Sequence, residues 1–389
     1  MNLDESQPAQ LHVSHKLKVE VLQPLKELFV GKGEIVDLLG VCLTAGEHLF
    51  LLGPPGTAKS ALVQELAKRI DGRVFDYLLT RFTEPNELFG PFDIRRLREG
   101  ELITNTDGML PEATFIFLDE LLNANSAILN SLLMVLNERV FRRGRETRAL
   151  PMLMVVGASN RLPQDEALGA LFDRFLARVR CDNVPNDRLN EVLAAGWKLG
   201  QHQQTERAQI TVDELRSLQQ AVLNVDLVNV RAAYLEVINH LRRAGIAVSD
   251  RRAVKLQRLV AASALLCGRT AANRSDLWVL RYIWDTDEQR EIIAAIVQTA
   301  VDHADPQELA SAHPRSQGDR LPNPEELARD LEQLTLDLDN PEMAAHERSA
   351  LQDRLALLAG RSSWVGDTQA RDFLETRIRG LWQRLGLPA

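Results

Sequence analysis

Residues 51–60 constrain the fold of this chain more than any other stretch. They join a short apolar run, residues 48–52, to a segment with apolar residues at helical spacing, residues 60–70. A strand, a glycine-bearing turn and Lys-Ser at the start of a helix form the arrangement of a phosphate-binding loop. Such a loop turns backbone N–H groups and the positive end of a helix dipole towards phosphate. The sequence therefore predicts a nucleotide-binding α/β domain.

The residues of this loop have separate expected roles in binding ATP. Lys59 would place a positive charge on the β- and γ-phosphates, and the Ser60 hydroxyl would bind Mg²⁺. The full pattern has glycine before the lysine, whereas this chain has Ala58, which we expect at a negative φ, where a Cβ costs little. The alternative is a strand–turn–helix with a surface lysine. The expected nucleotide contacts of the loop are Gly53, Pro54, Pro55, Gly56, Thr57, Ala58, Lys59, Ser60 and Ala61.

Two adjacent carboxylates end a second predicted strand. Residues 115–118 are apolar, and Asp119 and Glu120 follow them directly. In a parallel α/β sheet, ligands bind at the carboxyl ends of the strands. Asp119 is therefore predicted to hold Mg²⁺, directly or through water, and Glu120 to polarise the attacking water as general base. The alternative is an acid pair that only marks the start of a helix.

Two polar residues further along are candidates for completing a catalytic site. Asn160 follows the apolar run 152–158, where its amide would sense the γ-phosphate and fix the water; otherwise it caps a turn. Arg174 follows a short helix and is expected to project from the domain edge towards the γ-phosphate of a neighbouring copy. The alternative for Arg174 is a local ion pair with Asp173 or Asp165.

Two arginines in the first turn of a later helix also suggest a phosphate contact. Arg251 and Arg252 follow Ser249 and Asp250, which open this helix. Basic residues in a first helical turn oppose the helix dipole, and a bound phosphate would offset that cost. Arg252 is the first choice for the contact and Arg251 the second. The alternative is that both arginines lie on the surface.

Two hairpins are predicted around this core. The first joins residues 92–94 to residues 101–104 and is an insertion that would reach a substrate or a central pore, or would only decorate the surface. The second spans residues 140–147, with its turn near Gly144. Four arginines within residues 142–148 would face a partner or a pore, or would form a solvated tip.

The rest of the chain is predicted to be helical. Strand patterns stop at residue 187, prolines and polar residues at 302–324 predict a linker, and leucines at steps of four and three predict a small antiparallel bundle. The predicted divisions are an α/β core with a parallel sheet and helices on both faces (1–190), an all-α lid (191–300), and a linker with a C-terminal triple-helical domain (301–389).

Composition bears on the partners and the compartment. The formal net charge is −8, which disfavours broad nucleic-acid binding. Cys42, Cys181 and Cys267 are far apart and show no metal-binding spacing, which favours a reducing compartment. No run of about 18 apolar residues occurs, and the first residues lack the apolar core of a signal peptide. We therefore expect a cytoplasmic protein without a membrane span.

As a set, these motifs resemble the MoxR branch of AAA+ ATPases and, within it, the regulatory ATPase variant A (RavA) group. The resemblance spans residues 15–285. It is carried by GPPGTAKS, DYLLTRFTEPNELFGPFDI, LPEATFIFLDEL, AILNSLLMVLNERVFRRG, VGASNRLP, ALFDRF and VSDRRAVKLQRLVAASALLCGR. The resemblance implies a hexameric ring with ATP at the subunit interfaces. The implied assignments are Lys59 and Ser60 to Walker A, Asp119 and Glu120 to Walker B, Asn160 to sensor 1, Arg174 to the arginine finger, and Arg251 and Arg252 to sensor 2.

The resemblance also bears on the base and on partners. In AAA+ ATPases a segment like residues 30–32 packs against the adenine, so Gly31 is a candidate contact; the alternative is a plain helix–helix turn. The β-rich module of RavA proteins is not expected here, because residues 302–362 show no strand pattern. Residues 363–366 resemble the end of that family's triple-helical domain. Family members usually act as chaperone-like remodellers alongside a protein with a von Willebrand factor A domain.

Together the motifs predict an ATPase that uses ATP and Mg²⁺, assembles into a ring and remodels client proteins that the sequence does not identify. One alternative is a nucleotide-gated scaffold in which turnover is incidental. A second is a nucleic-acid motor, which the acidic balance disfavours and the arginines of residues 142–148 support.

Overall fold

The structure, a computed structural model, describes most of the chain. The described residues are 6–98, 101–143, 146–163, 166–201, 209–305, 308–309, 311–317, 324–338, 345–362, 365 and 368–385. Their strands are β1 (Leu49–Leu52), β2 (Ile70–Asp71), β3 (Val74–Leu78), β4 (Phe115–Asp119), β5 (Val140–Arg143), β6 (Glu146–Ala149), β7 (Met154–Ser159), β8 (Ala177–Arg180) and β9 (Ile210–Thr211).

The helices follow here in chain order. They are α1 (Ser6–Lys16), a π-helical segment (Leu17–Leu22), α2 (Gln23–Leu28), α3 (Gly33–Ala45), α4 (Lys59–Lys68), α5 (Pro85–Phe89), α6 (Ile94–Arg98), α7 (Ser126–Glu138), α8 (Glu166–Phe172), α9 (Leu189–Gln201), α10 (Val212–Ala221), α11 (Val228–Arg243), α12 (Asp250–Leu266), α13 (Asp287–Asp302), α14 (Pro324–Leu338), α15 (Ala345–Ser362) and α16 (Thr368–Arg384). Short 3₁₀ helices are Leu110–Glu112, Leu121–Asn123, Asn186–Arg188, Val222–Asn224, Arg274–Tyr282 and Pro314–Gln317.

A five-stranded parallel sheet forms the centre of the first domain, in the order β3-β4-β7-β1-β8. Every residue of β1 and β7 is buried, so both faces of these strands are covered. Strands covered on both faces are apolar along their whole length, which is why they were visible as apolar runs. The predicted α/β core, helical lid and C-terminal helices are confirmed.

The strand order reverses at β1. Strands β3, β4 and β7 lie on one side of β1 and β8 lies on the other, and Leu52 at the end of β1 pairs with both Ser159 and Arg180. In open parallel sheets such a switch point leaves a crevice at the carboxyl ends of the strands, where ligands bind. The segment after β1, residues 53–58, enters this crevice.

The lid helices pack on the α/β core in one hydrophobic cluster. The predicted capping box before α10 is confirmed, because the Glu214 backbone N–H donates to Thr211 Oγ1 at 3.2 Å and the Glu214 carboxylate accepts from the Thr211 N–H at 2.8 Å. The helix predicted at 277–284 is instead the 3₁₀ helix Arg274–Tyr282. Its Trp278 is fully buried and its indole N–H donates to Ser263 Oγ at 3.0 Å.

The C-terminal helices α14, α15 and α16 have a hydrophobic cluster of their own. The buried members are Leu327, Leu331, Leu334, Leu355, Leu358, Val365, Leu374, Ile378, Leu381 and Leu385. The predicted leucine seams therefore form the core of a three-helix unit. Of residues 363–366, only Val365 belongs to the described residues, so the likeness of this short segment to the RavA group is not tested by the structure.

The prediction of a linker at 302–324 is wrong for residues 311–317. His313, Arg315 and Ser316 are buried, and Arg315 Nε donates to Asp37 Oδ2 of α3 at 2.8 Å. A proline- and serine-containing segment resembles a linker in sequence, but here its polar side chains find buried partners. The segment therefore attaches the chain before α14 to the nucleotide-binding core.

Asp37 is the centre of a buried charge cluster. The Lys26 ammonium and the Arg315 guanidinium both form ion pairs with its carboxylate, and His313 Nε2 lies 3.6 Å from Asp37 Oδ1. The His313 ring stacks on Trp278 with 4.4 Å between ring centroids. Burial raises the pKa of Asp37, but Lys26, His313 and Arg315 together lower it well below its usual range. Burial lowers the pKa of His313 to about 4, so this ring is neutral at pH 7.

The first predicted hairpin is only partly correct. Residues 92 and 104 form a single antiparallel bridge, but Ile94–Arg98 is the helix α6 rather than a strand. The expected turn residues 99–100 lie outside the described residues. The insertion is therefore a short helix closed by one bridge, and Ile94 on it is exposed.

The second predicted hairpin, β5–β6, is confirmed, with its expected turn residues 144–145 outside the described part of the chain. Arg143 donates to the Gly90 carbonyl at 2.6 Å, and Arg148 donates to Thr106 Oγ1 at 3.0 Å. Two of the four arginines that supported a nucleic-acid motor are thus held by Gly90 and Thr106, which flank the insertion. Within the described residues, no helix combines the length and apolar character needed to cross a bilayer.

Candidate nucleotide-binding site

The glycines of residues 53–56 allow the chain to curl at the end of β1. A Cβ on Gly53 would lie 2.2 Å from the Cys181 carbonyl oxygen, which no side chain tolerates. Gly56 has φ +80°, a conformation that favours glycine. The two glycines therefore allow the close approach and the curvature that a phosphate-binding loop needs.

Ala58 does not have the negative φ that we expected. Its φ is 66° and its ψ is 22°, so it is left-handed at the position where the full pattern has glycine. A left-handed conformation costs an L-residue about 1–2 kcal/mol. Only three described non-glycine residues have positive φ, and Ala58 and Glu120 are two of them. Backbone strain concentrated in this way is typical of functional sites.

Lys59 lies inside the loop that it is expected to serve. Its side chain is buried, and its ammonium donates to the carbonyl oxygens of Gly53 and Pro54, both at 2.8 Å. Thr57 Oγ1, which donates to the Pro54 carbonyl at 2.9 Å, is 3.5 Å from the same ammonium. The loop therefore holds the Lys59 ammonium where it would meet a phosphate bound in the loop.

The structure brings the two predicted Mg²⁺ ligands together. Ser60 Oγ at the start of α4 donates to Asp119 Oδ2 at the end of β4, at 3.1 Å. Among the described residues, no group of three or more His, Cys, Asp or Glu side chains is arranged to hold a metal. Mg²⁺ commonly binds through one or two protein oxygens together with substrate phosphates and water. One hydroxyl and one carboxylate beside a phosphate loop fit that preference.

Glu120 follows Asp119 with φ 51°, which turns it out of the strand direction. Its carboxylate oxygen Oε2 accepts a long hydrogen bond from Asn123 Nδ2 at 3.4 Å. Burial first, and then the Asp119 carboxylate, raise the pKa of Glu120, while Lys59 and Arg161 act in the opposite direction. A carboxylate with a raised pKa is a stronger base once it is ionised, as general-base catalysis requires.

Asn160 lies where the sequence placed it. Strand β7 runs between β4 and β1, and the Gly53 N–H donates to the carbonyl oxygen of Ser159, the last residue of β7, at 3.0 Å. Asn160 is the next residue and is exposed. It therefore follows a strand that separates the acid pair from the phosphate loop.

A cavity of about 460 Å³ opens beside the phosphate loop and suits a nucleotide base. Its walls are mainly apolar, as in most small-molecule sites. Gly31, between the lining residues Val30 and Lys32, has φ +73°, and a Cβ there would lie 3.1 Å from Val184 Cγ2. The lining residues include Leu28, Val30, Lys32, Thr57, Ala58, Ala61, Val184, Leu189 and Val192.

Sequence reasoning missed one wall of this cavity. Val184, Leu189 and Val192 follow β8, after the predicted strands end. The available signal was the pair Leu189 and Val192, which are three residues apart on α9 and so share a face of that helix. Of residues 30–32, Val30 and Lys32 line the cavity, and the contact of Gly31 with a base stays a prediction.

The Arg174 side chain does not extend freely into solvent from the edge of the domain, as we had expected it to. Its side chain is 25% exposed, and Nη1 lies 3.3 Å from Asp173 Oδ2. This is the local ion pair that was the alternative for Arg174. Asp173 and Arg174 come just before β8, at the amino edge of the sheet, whereas the phosphate loop follows the carboxyl end of β1. The structure therefore does not bring Arg174 to the phosphate loop of its own chain.

Arg251 and Arg252 also lie at the amino edge. Arg252 Nη1 is 3.8 Å from Asp173 Oδ1, and further along α12 Lys255 reaches Glu47, two residues before β1, at 3.4 Å. Strand β1 alone spans roughly 10 Å, since a strand rises about 3.3 Å per residue. Neither arginine therefore contacts the phosphate loop of its own chain. The simplest form of the predicted phosphate contact, one made within a single chain, is not seen.

The two arginines also differ in accessibility. Arg252 is 5% exposed and pairs with Asp285 at 3.1 Å, whereas Arg251 is exposed and donates to Asn137 Oδ1 at 2.9 Å. Arg178 shares Asp285 at 2.9 Å; burial and the nearby Arg252 lower the pKa of Arg178 to about 9. Arg252 is thus part of a buried network, and Arg251 is the more accessible of the pair.

The strand order, the phosphate loop after β1 and the acid pair after β4 define a nucleotide-binding P-loop protein with a helical lid. The chain belongs to the MoxR family of AAA+ ATPases. Residues 15–220 match a family model described as the MoxR domain in MoxR-vWA-β-propeller ternary systems, and residues 226–297 match an AAA lid domain.

The chain is also similar to individual proteins. An uncharacterised protein of Methanocaldococcus jannaschii is 35% identical over 287 residues, 73% of this chain and 74% of that protein. Chaperone MoxR1 of Mycobacterium tuberculosis is 25% identical over 224 residues, 57% of each chain. The crystal structure of a candidate ATPase from Cytophaga hutchinsonii has a TM-score of 0.63 and 20% identity, covering 76% of this chain and 97% of that one, which is a likeness of fold.

Proposed function

We propose that this protein is a Mg²⁺-dependent ATPase that assembles into a ring and acts as a remodeller or chaperone of partner proteins rather than as a nucleotide-gated scaffold. The observation that carries the proposal is the contact of Ser60 with Asp119 at 3.1 Å beside the buried Lys59. It joins the two halves of a nucleotide–metal site from segments that are far apart in sequence.

The residues of this site have complementary roles in hydrolysis. Water attacks the γ-phosphorus, a new P–O bond forms, the bond to the β,γ-bridging oxygen breaks, and the water proton passes to Glu120. Lys59 neutralises charge on the phosphates, and Asn160 holds the water. Ser60 and Asp119 would hold Mg²⁺, which would supply further neutralisation of phosphate charge.

The positions of the arginines support a ring. Arg174, Arg251 and Arg252 lie at the amino edge of the sheet, away from the phosphate loop of the same chain. They reach a nucleotide only if a second copy presents its phosphate loop to that edge. We therefore propose that Arg174 acts on the neighbour's γ-phosphate, and that Arg251, the more accessible of its pair, contacts the same nucleotide.

A von Willebrand factor A domain protein is the proposed partner of this ATPase. The support is the description of the matching family model, which places the MoxR domain in systems with such a protein and a β-propeller. The chaperone role is supported by the similarity to Chaperone MoxR1. The closer RavA grouping stays a prediction.

Lys59→Ala is expected to weaken ATP binding about 10- to 100-fold, because it removes a charge-assisted hydrogen bond worth about 1.5–3 kcal/mol. Lys68→Ala is the matched control, since Lys68 lies on the same helix but is exposed and pairs with Glu65. Titration with a fluorescent ATP analogue measures both variants. Unchanged affinity in Lys59→Ala would refute the assignment of this loop.

A further inference from the structure

A second cavity, of about 380 Å³, lies beside the acid pair and is separate from the base cavity. It is formed where three strands end: Arg81 follows β3, residues 122–125 follow β4, and Arg161 follows β7. This is the carboxyl edge of the sheet, where parallel α/β proteins bind ligands. None of the residues proposed for ATP hydrolysis lines this cavity, so the proposed function assigns no role to it.

The charged side chains that line this cavity are both basic. Arg81 and Arg161 both line it and are exposed, and none of its described lining residues is acidic. Asn125, which also lines it, is the N-cap of α7, so the positive end of that helix dipole lies at the wall. Two guanidinium groups and a helix N-terminus around one cavity favour an oxyanion.

The cavity is connected to Glu120 by hydrogen bonds. Arg161 Nη2 donates to Asn123 Oδ1 at 3.1 Å, and Asn123 Nδ2 reaches Glu120 Oε2 at 3.4 Å. A group that draws Arg161 into the cavity therefore competes for the bond that orients Asn123. Binding in the cavity and the hydrogen bond that holds Glu120 are therefore linked through the side chain of Asn123.

We propose that this cavity binds an oxyanion, a carboxylate or a phosphate, between Arg81 and Arg161, and that the bound anion releases Glu120 to act on water. The anion is then an activator of hydrolysis. Binding itself stands independently of the proposed ATPase function, whereas the activation rests on it.

Two sources would supply such an anion. One is an acidic side chain of a client or partner protein, and the other is the inorganic phosphate released by hydrolysis. Labelled hexaglutamate tests the first source by fluorescence anisotropy. Inorganic phosphate tests the second by calorimetry in Lys59→Ala protein, where the phosphate loop no longer competes.

Arg81→Gln is the informative variant, and Arg243→Gln is its charge-matched control, since Arg243 is exposed at the end of α11 in the lid. At constant ionic strength, Arg81→Gln should weaken binding of the hexaglutamate or of the phosphate about 10- to 100-fold, the effect of one charge-assisted hydrogen bond. Arg243→Gln should bind as the wild type does. Saturable binding of either probe that depends on Arg81 supports the site.

The proposal is overturned if neither probe binds saturably, or if Arg81→Gln and Arg243→Gln behave alike. ATP turnover with and without hexaglutamate then tests activation, which should be saturable in the wild type and lost in Arg81→Gln. Binding that depends on Arg81 in a protein without ATPase activity would refute the proposed function but not the site. Turnover without such binding would refute the site alone.

Discussion

Glu120→Gln is expected to lower kcat for ATP hydrolysis about 10²- to 10⁴-fold, the usual contribution of a general base. Glutamine keeps the size of the side chain but cannot accept the proton of the attacking water. ATP affinity should change little, because the phosphates are bound by the loop after β1 and not by Glu120. Steady-state turnover, with nucleotide binding measured in parallel, separates the two effects.

Glu138→Gln is the matched control for this prediction. Glu138 ends α7, is half exposed and pairs with Arg142 at 3.1 Å, away from the acid pair.

The pH profile of turnover gives a second test of the role of Glu120, since burial and Asp119 raise the pKa of Glu120. Turnover should fall as acid protonates Glu120, at a pH above that of an ordinary glutamate. Wild-type turnover in Glu120→Gln would refute the role of Glu120.

Asp37→Asn is expected to lower the free energy of unfolding by about 3–5 kcal/mol, the effect of removing one partner from a buried ion pair. The variant keeps the shape of the side chain but leaves Lys26 and Arg315 buried without their shared carboxylate. Denaturant unfolding followed by circular dichroism measures the change.

Asp213→Asn is the control for the stability prediction, because Asp213 is 94% exposed and its pair with Arg216 contributes little. Adding Arg315→Met to Asp37→Asn should destabilise less than the sum of the two single changes, since both remove the same pair. A stability of Asp37→Asn equal to that of the wild type would show that residues 311–317 are not held by this cluster.

Local chemistry explains which parts of the site could be predicted from the sequence. A phosphate loop needs glycines and Lys-Ser within a few residues, and the acid pair directly follows its strand, so Lys59 and Glu120 were found without a structure. The meeting of Ser60 and Asp119, the neighbours of these two residues, followed from the parallel strand order. The φ of Ala58 did not follow, because the pattern specifies residue types and not backbone angles.

Long-range packing explains what was missed. Arg315 was assigned to a linker because Asp37, the buried partner of its side chain, lies 278 residues away in sequence. The wall at Val184 similarly becomes part of a base cavity only when it packs against Gly31. The position of Arg252 depends on how the lid docks, which the residues of its own helix do not determine.

The central claim is that one copy of this chain binds the nucleotide through Lys59 and that the next copy promotes its hydrolysis through Arg174. Mixing Arg174→Ala with Lys59→Ala subunits tests it most directly, because some interfaces then combine an intact Lys59 with an intact Arg174. Each variant alone should be nearly inactive, and the mixture should regain turnover. Mixed assemblies that form but stay as inactive as either variant would contradict the account.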